Sequence, residues 1–332
     1  MPTRIAASDK RNETTVKRIA LGELEVSAQG LGCMGMSGFY GHSDWDESVA
    51  TIHHALDLGV TFIDTADIYG AGHNEVLVGR AIHGRREQVQ LATKFGIDRT
   101  AGDDARVLRG DPAYVRRCCE TSLLRLGVDV IDLYYMHRPP QDVPIEETAG
   151  AMAELVKAGK VRHLGLSEVD NELLRRAYSV HPIVAVQSEY SLWTRDPETA
   201  VLPAMKDLGV ALVPFSPLGR GFLTGSVSRD SLDERDARNR NPRFNAEAMR
   251  SNQRIVEAIG EVAAEKGVTP AQIALAWVHG QTDRLGLPVV PIPGTKRAKW
   301  LDQNVGALEV TLDPSDLDRL DPLHEEVVGT RY

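Results

Sequence analysis

The chain has 332 residues, of which 42% are hydrophobic and 26% are charged, as in ordinary globular proteins. Its formal net charge is −9 and no basic stripe runs along it, so composition argues against a nucleic-acid partner. No apolar run approaches the length of a membrane span, and the three cysteines, two of them adjacent, set up no disulfide framework. We therefore expect a cytoplasmic protein that binds neither nucleic acid nor membrane.

The amino-terminal region divides into a polar tail and a predicted hairpin. Residues 1–15 lack the apolar core of a signal peptide, and we expect them to form a flexible tail. One domain is expected to span residues 16–332. Its first segment, Val16–Val26, has Gly22 near a turn and is typical of a β-hairpin.

From residue 30 onwards, short apolar segments alternate with amphipathic ones. The apolar segments, which predict strands, are Gly30–Met36, Val60–Asp64, Val89–Lys94, Val130–Met136, Val161–Ser167, Ile183–Ser188, Val210–Phe215 and Val289–Pro293. The amphipathic segments, which predict helices, are Asp46–Leu58, Asn74–Ile82, Pro112–Leu126, Glu147–Ala158, Asn171–Tyr178, Thr199–Leu208, Ala246–Lys266 and Lys296–Leu308.

This alternation predicts one α/β domain, a (β/α)8 TIM barrel whose bottom is closed by the N-terminal β-hairpin Val16–Val26. A doubly wound open sheet is the alternative. Such a sheet usually carries a glycine-rich phosphate turn after its first strand, whereas the G-x-G spacing within Gly30–Gly35 does not open directly into a helix.

Two further segments do not belong to the alternation. The helix predicted over Pro270–His279, ahead of the last strand, has the character of an insertion. The longest irregular stretch, Ser216–Asn245, is typical of a lid or binding loop, of a disordered segment, or of a solvated charge run. Its arginines are Arg229, Arg235, Arg238, Arg240 and Arg243.

Chemically matched side chains end three successive predicted strands. Asp64 ends the second strand, Lys94 the third, and His137 follows the fourth, while Tyr69 lies in the turn after Asp64. The carboxyl ends of the strands form the active face of a barrel, so we expect these four groups to meet in one pocket. Each one alone has an ordinary interpretation, as a turn former, a solvated cation or a packed ring.

Together the four groups predict proton transfer. A protonated lysine beside a tyrosine favours the phenolate, and we expect Lys94 to lower the pKa of Tyr69 and make it a general acid near neutral pH. Asp64 would keep the lysine charged, and His137 would orient a carbonyl oxygen. No nucleophile–base pair and no metal-ligand spacing accompany them, so a proton donor of this kind needs a partner that delivers electrons or hydride, which implies a cofactor.

Seven motifs in order resemble the aldo-keto reductase family, and the likeness extends over nearly the whole chain after residue 16. The motifs are Phe62–Gly70, Thr93-Lys94, Asp132–His137, Gly165–Ser167, Gln187–Leu192, Ser216–Gly221 and Ile292–Arg297. Within the family the sequence is most similar to the bacterial and plant branch that includes auxin-induced-like and perakine-reductase-like proteins.

The resemblance implies a catalytic tetrad of Asp64, Tyr69, Lys94 and His137, with Tyr69 as the proton donor in NADPH-dependent reduction of a small-molecule carbonyl substrate. It implies an extended NADPH/NADP+ across the barrel mouth and no metal. Ser167 and Gln187 would hold the nicotinamide carboxamide, and Tyr190 would stack on the nicotinamide ring. The residues that would follow the pyrophosphate are Ser216, Pro217, Leu218, Gly219, Arg220 and Gly221. The residues that would meet the adenosine end are Gly294, Thr295, Lys296, Arg297, Gln303 and Asn304.

Two departures from the family pattern bear on the cofactor. Where the family often has Ser-Asn after strand five, this chain has Ser167 and Glu168, and an ionised carboxylate donates no hydrogen bond to a carboxamide oxygen. Trp300 stands where the better-known mammalian branch has an arginine, and Gly294-Thr295 stands where that branch has Lys-Ser. Recognition of the 2′-phosphate then rests on Lys296 or Arg297.

Other functions stay open at this point. A redox-sensing regulatory NADP(H)-binding protein, as in potassium-channel β subunits, shares the same resemblance. A lyase that forms a Schiff base on Lys94 is a third class. Neither the substrate nor homo-oligomer formation follows from the sequence. The side chains that would set specificity, or simply pack, are Phe39, Tyr40, Phe95, Arg138, Trp193 and Phe222.

Overall fold

In the computed structural model, which describes residues 16–100, 102, 106–234 and 236–331, one parallel sheet organises the chain. The strands are β1 (Arg18–Leu21), β2 (Leu24–Ser27), β3 (Leu31–Gly32), β4 (Phe62–Asp64), β5 (Gln90–Phe95), β6 (Ile97–Asp98), β7 (Val107–Leu108), β8 (Ile131–Met136), β9 (Val161–Ser167), β10 (Ile183–Glu189) and β11 (Ala211–Phe215). Seven of them form the sheet, in the order β11-β10-β9-β8-β5-β4-β3, with every described neighbour pair parallel. The sheet is a nearly closed barrel.

The predicted eighth strand, Val289–Pro293, bridges the two edges of this sheet without forming a regular strand. Val290 and Ile292 donate backbone hydrogen bonds to β11, at 2.9 and 3.0 Å. On the other side, the carbonyls of Pro291 and Pro293 accept bonds from the segment around β3, at 2.9 and 3.3 Å. Proline has no N–H to return, so this half of the ladder stays incomplete. Seven of the eight predicted strands are therefore present as regular strands, and the eighth is not confirmed as one.

The hairpin predicted over Val16–Val26 is present as the antiparallel pair β1–β2. Its apolar side chains Leu21, Leu24 and Val26 belong to the same buried cluster as side chains from inside the sheet, such as Phe62 and Tyr135. Burial against the inner strand side chains holds the hairpin in place by the hydrophobic effect. That it closes the barrel bottom stays a prediction, and the expected flexible tail, residues 1–15, lies outside the described residues.

Helices separate the strands. They are α1 (Trp45–Asp57), α2 (His73–Ile82), α3 (Pro112–Leu126), α4 (Ile145–Lys157), α5 (Asn171–Tyr178), α6 (Pro197–Ala200), α7 (Leu202–Leu208), α8 (Ala246–Lys266), α9 (Pro270–Leu285), α10 (Ala298–Val305) and α11 (Pro314–Leu320). Their ends follow local rules: in α3, the Asp111 carboxylate accepts from the N–H of Tyr114, Pro112 occupies the first turn and Gly127 forms a left-handed cap.

Three helices differ from the sequence-based expectation. The helix predicted over Thr199–Leu208 is split into α6 and α7 because Pro203 cannot continue the hydrogen bonding of a helix interior. The predicted insertion Pro270–His279 continues to Leu285 as α9, which begins with a Thr269–Gln272 capping box. The predicted last helix begins at Ala298 instead of at residue 296, and α11 follows it unpredicted.

The long segment Ser216–Asn245 is built from short 3-10 turns, of which Gly219–Thr224 is the longest. It is bonded to the loop that follows β3, because the N–H of Ala237 donates to the carbonyl of Phe39 at 2.8 Å. The guanidinium of Arg238 also lies 5.1 Å from the ring centre of Tyr40. Arg235 is outside the described residues. The segment therefore reaches across from β11 to the loop after β3, at the carboxyl ends of the strands.

Candidate active site

Asp64 and Lys94 form a buried ion pair at the carboxyl ends of β4 and β5. Both side chains are almost inaccessible, at 2% and 0% exposure. The ammonium Nζ lies 2.5 Å from Asp64 Oδ1 and also donates to the carbonyl of Thr65 at 2.7 Å. The other carboxylate oxygen accepts from Gln187 Nε2 at 2.8 Å. Each polar atom of this pair therefore has a partner, which a buried charge requires.

Tyr69 is brought to Lys94 by the turn that follows β4. The N–H of Asp67 donates to the carbonyl of Lys94 at 3.1 Å, which fixes the turn to the end of β5. Immediately after Tyr69, Gly70 and Ala71 adopt left-handed backbone conformations, with φ of 57° and 53°, so the chain turns sharply. The phenol oxygen then accepts a hydrogen bond from Lys94 Nζ at 3.3 Å.

His137 faces the same phenol from the end of β8. Its ring centre lies 5.9 Å from that of Tyr69 at an interplanar angle of 83°. Its backbone N–H donates to the carbonyl of Phe95 at 2.7 Å, which aligns the chain after β8 with the end of β5. The ring Nδ1 is buried and has no hydrogen-bond partner among the described residues.

Burial and charge set the pKa values of the ion pair. Burial disfavours the ammonium of Lys94, but Asp64 and Tyr69 together more than offset this, and the lysine pKa is raised. Lys94 is therefore protonated at neutral pH. Burial raises the pKa of Asp64, and the positive charge of Lys94 and the hydrogen bonds from Lys94 and Gln187 oppose that rise.

The expected lowering of the Tyr69 pKa is wrong for this structure. Burial raises the pKa of the phenol, and the opposing effect of Lys94 is smaller. The nearby carboxylate of Asp64 raises it further. Tyr69 is therefore a neutral phenol that keeps its proton at neutral pH.

His137 is uncharged for a related reason. Burial lowers its pKa well below the usual range, and the positive charges of Lys94, Arg138 and Arg106 lower it further. A neutral imidazole has one N–H donor and one acceptor nitrogen. The site therefore presents two neutral hydrogen-bond donors, a phenol and an imidazole, beside a fixed ion pair.

Ser167 and Gln187, the residues predicted to hold a carboxamide, lie side by side. They are register partners at the ends of β9 and β10, and their exposures are 1% and 2%. Ser167 Oγ accepts from Arg138 Nη1 at 3.3 Å, while the Gln187 amide nitrogen donates to Asp64. Gln187 is therefore oriented by the same carboxylate that pairs with Lys94.

Tyr190 does not lie at the mouth as predicted. Its exposure is 0%, its hydroxyl donates to Glu198 Oε1 at 2.7 Å and its ring centre is 5.6 Å from that of Trp277. These contacts make it a core side chain. The aromatic ring that the sequence reasoning missed is Phe215, which ends β11, packs against the interior cluster and stays partly exposed. Its position at the end of a predicted strand was the sequence signal that could have identified Phe215 as a side chain at the mouth.

The residues predicted to follow a pyrophosphate lie in a tightly turned loop after β11. Ser216, Gly219, Arg220 and Gly221 all have positive φ, between 49° and 91°. Pro217 and Leu218 lead into these turns. A Cβ on Gly219 would lie 2.7 Å from the indole of Trp193, so glycine is required both for space and for backbone conformation.

Glu168 and Arg220 are engaged within the chain. One carboxylate oxygen of Glu168 accepts the backbone N–H of Glu189 at 2.9 Å, and the other accepts from the guanidinium of Arg331. Arg220 donates to the buried carboxylate of Glu189 at 3.2 Å. Glu168, which stands where the family pattern often has an asparagine, is therefore bonded to other parts of the chain through both carboxylate oxygens.

The segment Gly294–Arg297 leads into α10, with Arg297 at its N-cap. Lys296 Nζ donates to the carbonyls of Tyr40, at 3.1 Å, and His42. Arg297 Nε lies 3.5 Å from Glu47 Oε1 in an exposed ion pair, and the Thr295 hydroxyl bonds the backbone of Arg297. In α10, Gln303 is partly exposed and Asn304 is buried. These cations thus interact with the loop after β3 and with α1.

Of the six side chains expected either to set specificity or to pack, two lie beside the reaction centre. The ring of Phe39 meets Tyr69 edge-on at 6.1 Å, and Arg138 adjoins His137. The other four belong to packing contacts: Phe95 stacks on Tyr134, Trp193 stacks on Phe222, and Tyr40 packs under Arg238.

The described residues contain no cluster of three or more side chains able to hold a metal ion. Among the helices that the structure describes, none combines the length and apolar character needed to cross a bilayer.

Known proteins share both the sequence pattern and the barrel. A sequence model described as the Aldo/keto reductase family matches residues 29–325. A thermostable aldo-keto reductase in complex with the inhibitor epalrestat is 32% identical, with 93% of this chain and all of that chain covered and a TM-score of 0.75. A glycerol dehydrogenase from Gluconobacter oxydans is 28% identical, with 97% and 98% covered and a TM-score of 0.82. An aldo/keto reductase from Klebsiella pneumoniae in complex with NADP and acetate is 28% identical, with 93% and 95% covered and a TM-score of 0.73.

Proposed function

This chain belongs to the Aldo/keto reductase family, and we propose from that premise that it reduces aldehydes or ketones to alcohols with NADPH as the hydride donor. The observation that carries the proposal is the contact of Lys94 Nζ with both Asp64, at 2.5 Å, and the phenol of Tyr69, at 3.3 Å. The neutral His137 ring faces the same phenol. The complex of the Klebsiella pneumoniae relative with NADP supports the choice of cofactor.

In the proposed mechanism, the carbonyl oxygen of the substrate accepts hydrogen bonds from the Tyr69 hydroxyl and from the imidazole N–H of His137. NADPH, when bound, supplies a hydride to the carbonyl carbon. Tyr69 gives its proton to the oxygen, so that a C–H and an O–H bond form and the C=O double bond becomes single. Lys94 stabilises the resulting phenolate through its ammonium group, and Asp64 holds that ammonium in place.

The raised pKa of Tyr69 fits an acid in this reaction. A buried phenol keeps its proton until charge develops on the substrate oxygen. The protonated Lys94 at 3.3 Å then interacts more favourably with the phenolate than with the phenol. The ion pair therefore acts on the developing charge instead of ionising Tyr69 beforehand.

The residues present also fit a nicotinamide cofactor. Ser167 and Gln187, in register on β9 and β10, offer a hydroxyl and an amide group for a carboxamide. Phe215 offers a partly exposed ring at the next strand end, and we propose that it takes the stacking role that Tyr190 cannot. Lys296 and Arg297 are the cations proposed to meet the 2′-phosphate, with Gln303 and Asn304 near the adenine.

Several finer assignments are part of the same proposal. They are the bacterial and plant branch of the family, a single domain over residues 16–332, closure of the barrel bottom by the hairpin β1–β2, and a cytoplasmic location. The lyase alternative is disfavoured, because a Schiff-base lysine must react as a neutral amine. Lys94 is instead 0% exposed and paired with Asp64.

The test is an absorbance assay of NADPH oxidation with aldehydes, ketones and quinones, run in parallel with NADH. We expect turnover of at least one carbonyl class, faster with NADPH. Tight binding of NADPH without turnover of any compound would contradict the proposal and favour the redox-sensing regulatory alternative.

A further inference from the structure

The reaction centre carries more positive charge than carbonyl reduction alone requires. Asp64 and Lys94 compensate each other as an ion pair. Tyr69 and His137 are neutral groups. Arg138, directly after His137, adds a full positive charge at the mouth, although the whole chain has a formal net charge of −9. A localised positive field on an acidic protein raises the local concentration of anions.

The guanidinium of Arg138 is fixed by neutral acceptors. Its Nη1 donates to the carbonyl of His137 at 2.6 Å and to Ser167 Oγ at 3.3 Å. Over the described ranges, 16–100, 102, 106–234 and 236–331, no carboxylate forms an ion pair with Arg138. By contrast, Arg109, which directly follows β7, pairs with both Asp98 and Asp111. Nε and Nη2 of Arg138 have no described acceptor, and the side chain is partly exposed. One edge of a planar guanidinium fork is therefore available to a planar anion.

Both cationic and apolar side chains lie around the reaction centre. Arg106, exposed next to β7, is near enough for its charge to act on His137, as does Arg138. Phe39, Met34 and Ile97 are apolar side chains that pack against the small cluster that contains Tyr69. A ligand at this mouth meets apolar surface next to the phenol and a guanidinium beside the imidazole.

We propose that Arg138 binds a carboxylate of the substrate, so that the preferred substrates are aldehydes or ketones that carry a carboxylate a few bonds from the carbonyl carbon. This inference rests on the proposed reductase function and narrows its substrate class. Arg138 is a binding residue in it and takes no part in proton transfer. The apolar side chains around Tyr69 favour a hydrocarbon body between the two polar ends, as in an aromatic or branched oxo acid.

The experiment compares 4-carboxybenzaldehyde with 4-formylbenzamide, its uncharged near-isostere, in steady-state reduction by the full chain with NADPH. A charge-assisted hydrogen bond in such a site is worth about tenfold or more in affinity. The wild type should therefore favour the carboxylate about tenfold in kcat/KM, through KM. Arg138→Met should bring this ratio close to one, and Arg138→Lys, which keeps the charge without the fork, should lie between.

The matched control is Arg116→Met, because Arg116 lies in α3 and pairs with the exposed Glu154. It should leave the substrate ratio at the wild-type value. An equal loss with both aldehydes in Arg138→Met would overturn the proposal, since Arg138 would then only position His137 or Ser167. A wild type that reduces both compounds without preference would also overturn it, while the reductase function would stand. Reduction of neither compound, nor of any carbonyl in the panel, would remove both proposals.

If Arg138→Met fails to fold, inhibition of the wild type also compares a carboxylate with its uncharged amide analogue. Benzoate should compete with 4-formylbenzamide at a concentration about tenfold lower than benzamide does. Equal inhibition by the two compounds would contradict a carboxylate site at Arg138.

Discussion

The protein holds two charged regions in different ways: the groups around Tyr69, and the cations that follow the segment Val289–Pro293. Asp64 and Lys94 end neighbouring strands, are buried, and bond each other directly. Lys296 and Arg297 lie in a connecting loop and are engaged by the carbonyls of Tyr40 and His42 and by the exposed Glu47. The comparison indicates that the strand ends, together with the turn after β4, assemble the proposed reaction chemistry within the folded core. The proposed recognition of the 2′-phosphate would instead require Lys296 and Arg297 to exchange protein partners for a phosphate.

The largest effect is expected from breaking the ion pair of the first region. Lys94→Met leaves the carboxylate of Asp64 buried without its cation, which costs about 3–5 kcal/mol of unfolding free energy in comparable pairs. We expect kcat to fall by at least about 10²-fold as well, because the phenolate of Tyr69 loses its stabilising charge. Urea unfolding and steady-state kinetics measure the two effects.

Two further variants separate stability from chemistry. Lys94→Met combined with Asp64→Asn should recover much of the lost stability and none of the rate. Lys160→Met, in an exposed pair with Glu120, should change neither. Recovery of the rate in the double variant would show that Tyr69 does not depend on the ammonium group.

A smaller and more selective effect is expected in the second region. Changing Lys296 and Arg297 together to alanine should weaken NADPH binding about ten- to a hundredfold, the value of a charge-assisted hydrogen bond of about 1.5–3 kcal/mol. NADH has no 2′-phosphate, and its affinity should hardly change. Fluorescence titration with both coenzymes measures the two constants.

The two single variants sharpen this prediction. Lys296→Ala also releases the loop after β3, because the ammonium bonds two of its carbonyls. Arg297→Ala leaves those bonds in place. Equal weakening of NADPH and NADH in either variant would show that the residue shapes the loop without recognising the phosphate.

The smallest effect is expected from pH. The pKa of His137 is lowered well below its usual value, so the ring stays neutral as pH falls through about 6.5. The pKa of Tyr69 is raised, so the phenol keeps its proton as pH rises through about 10. The rate of hydride transfer in single turnovers should therefore stay level between these limits. An inflection near 6.5 would mean that His137 titrates normally, and a decline that begins well below 10 would mean that Lys94 dominates the pKa of Tyr69.

The sequence predicted the first region well because its signals are local. A strand ending in a carboxylate or a lysine places that group at the barrel mouth whatever the loops do, and Asp64, Lys94 and His137 needed only correct strand ends. The irregular last segment was harder, since apolar character predicts a strand while Pro291 and Pro293 remove its hydrogen-bond donors.

Other features of the site depend on contacts between distant segments, which one sequence does not reveal. Tyr190 fits a family-based position at the mouth, yet its ring is buried against Trp277 from α9. Glu168 is a poor cofactor ligand by its chemistry, and its partner is Arg331, near the far end of the chain. The pKa of Tyr69 was predicted in the wrong direction because the extent of burial is a tertiary property.

The most direct test of the central claim, that Tyr69 donates the proton, is single-turnover reduction by Tyr69→Phe at saturating NADPH. The change removes one hydroxyl and keeps the ring that packs against Phe39 and His137. We expect the rate to fall about 10²–10⁴-fold, as on removal of a general acid, with the affinity for NADPH nearly unchanged. A Tyr69→Phe variant that turns over at the wild-type rate would contradict the account.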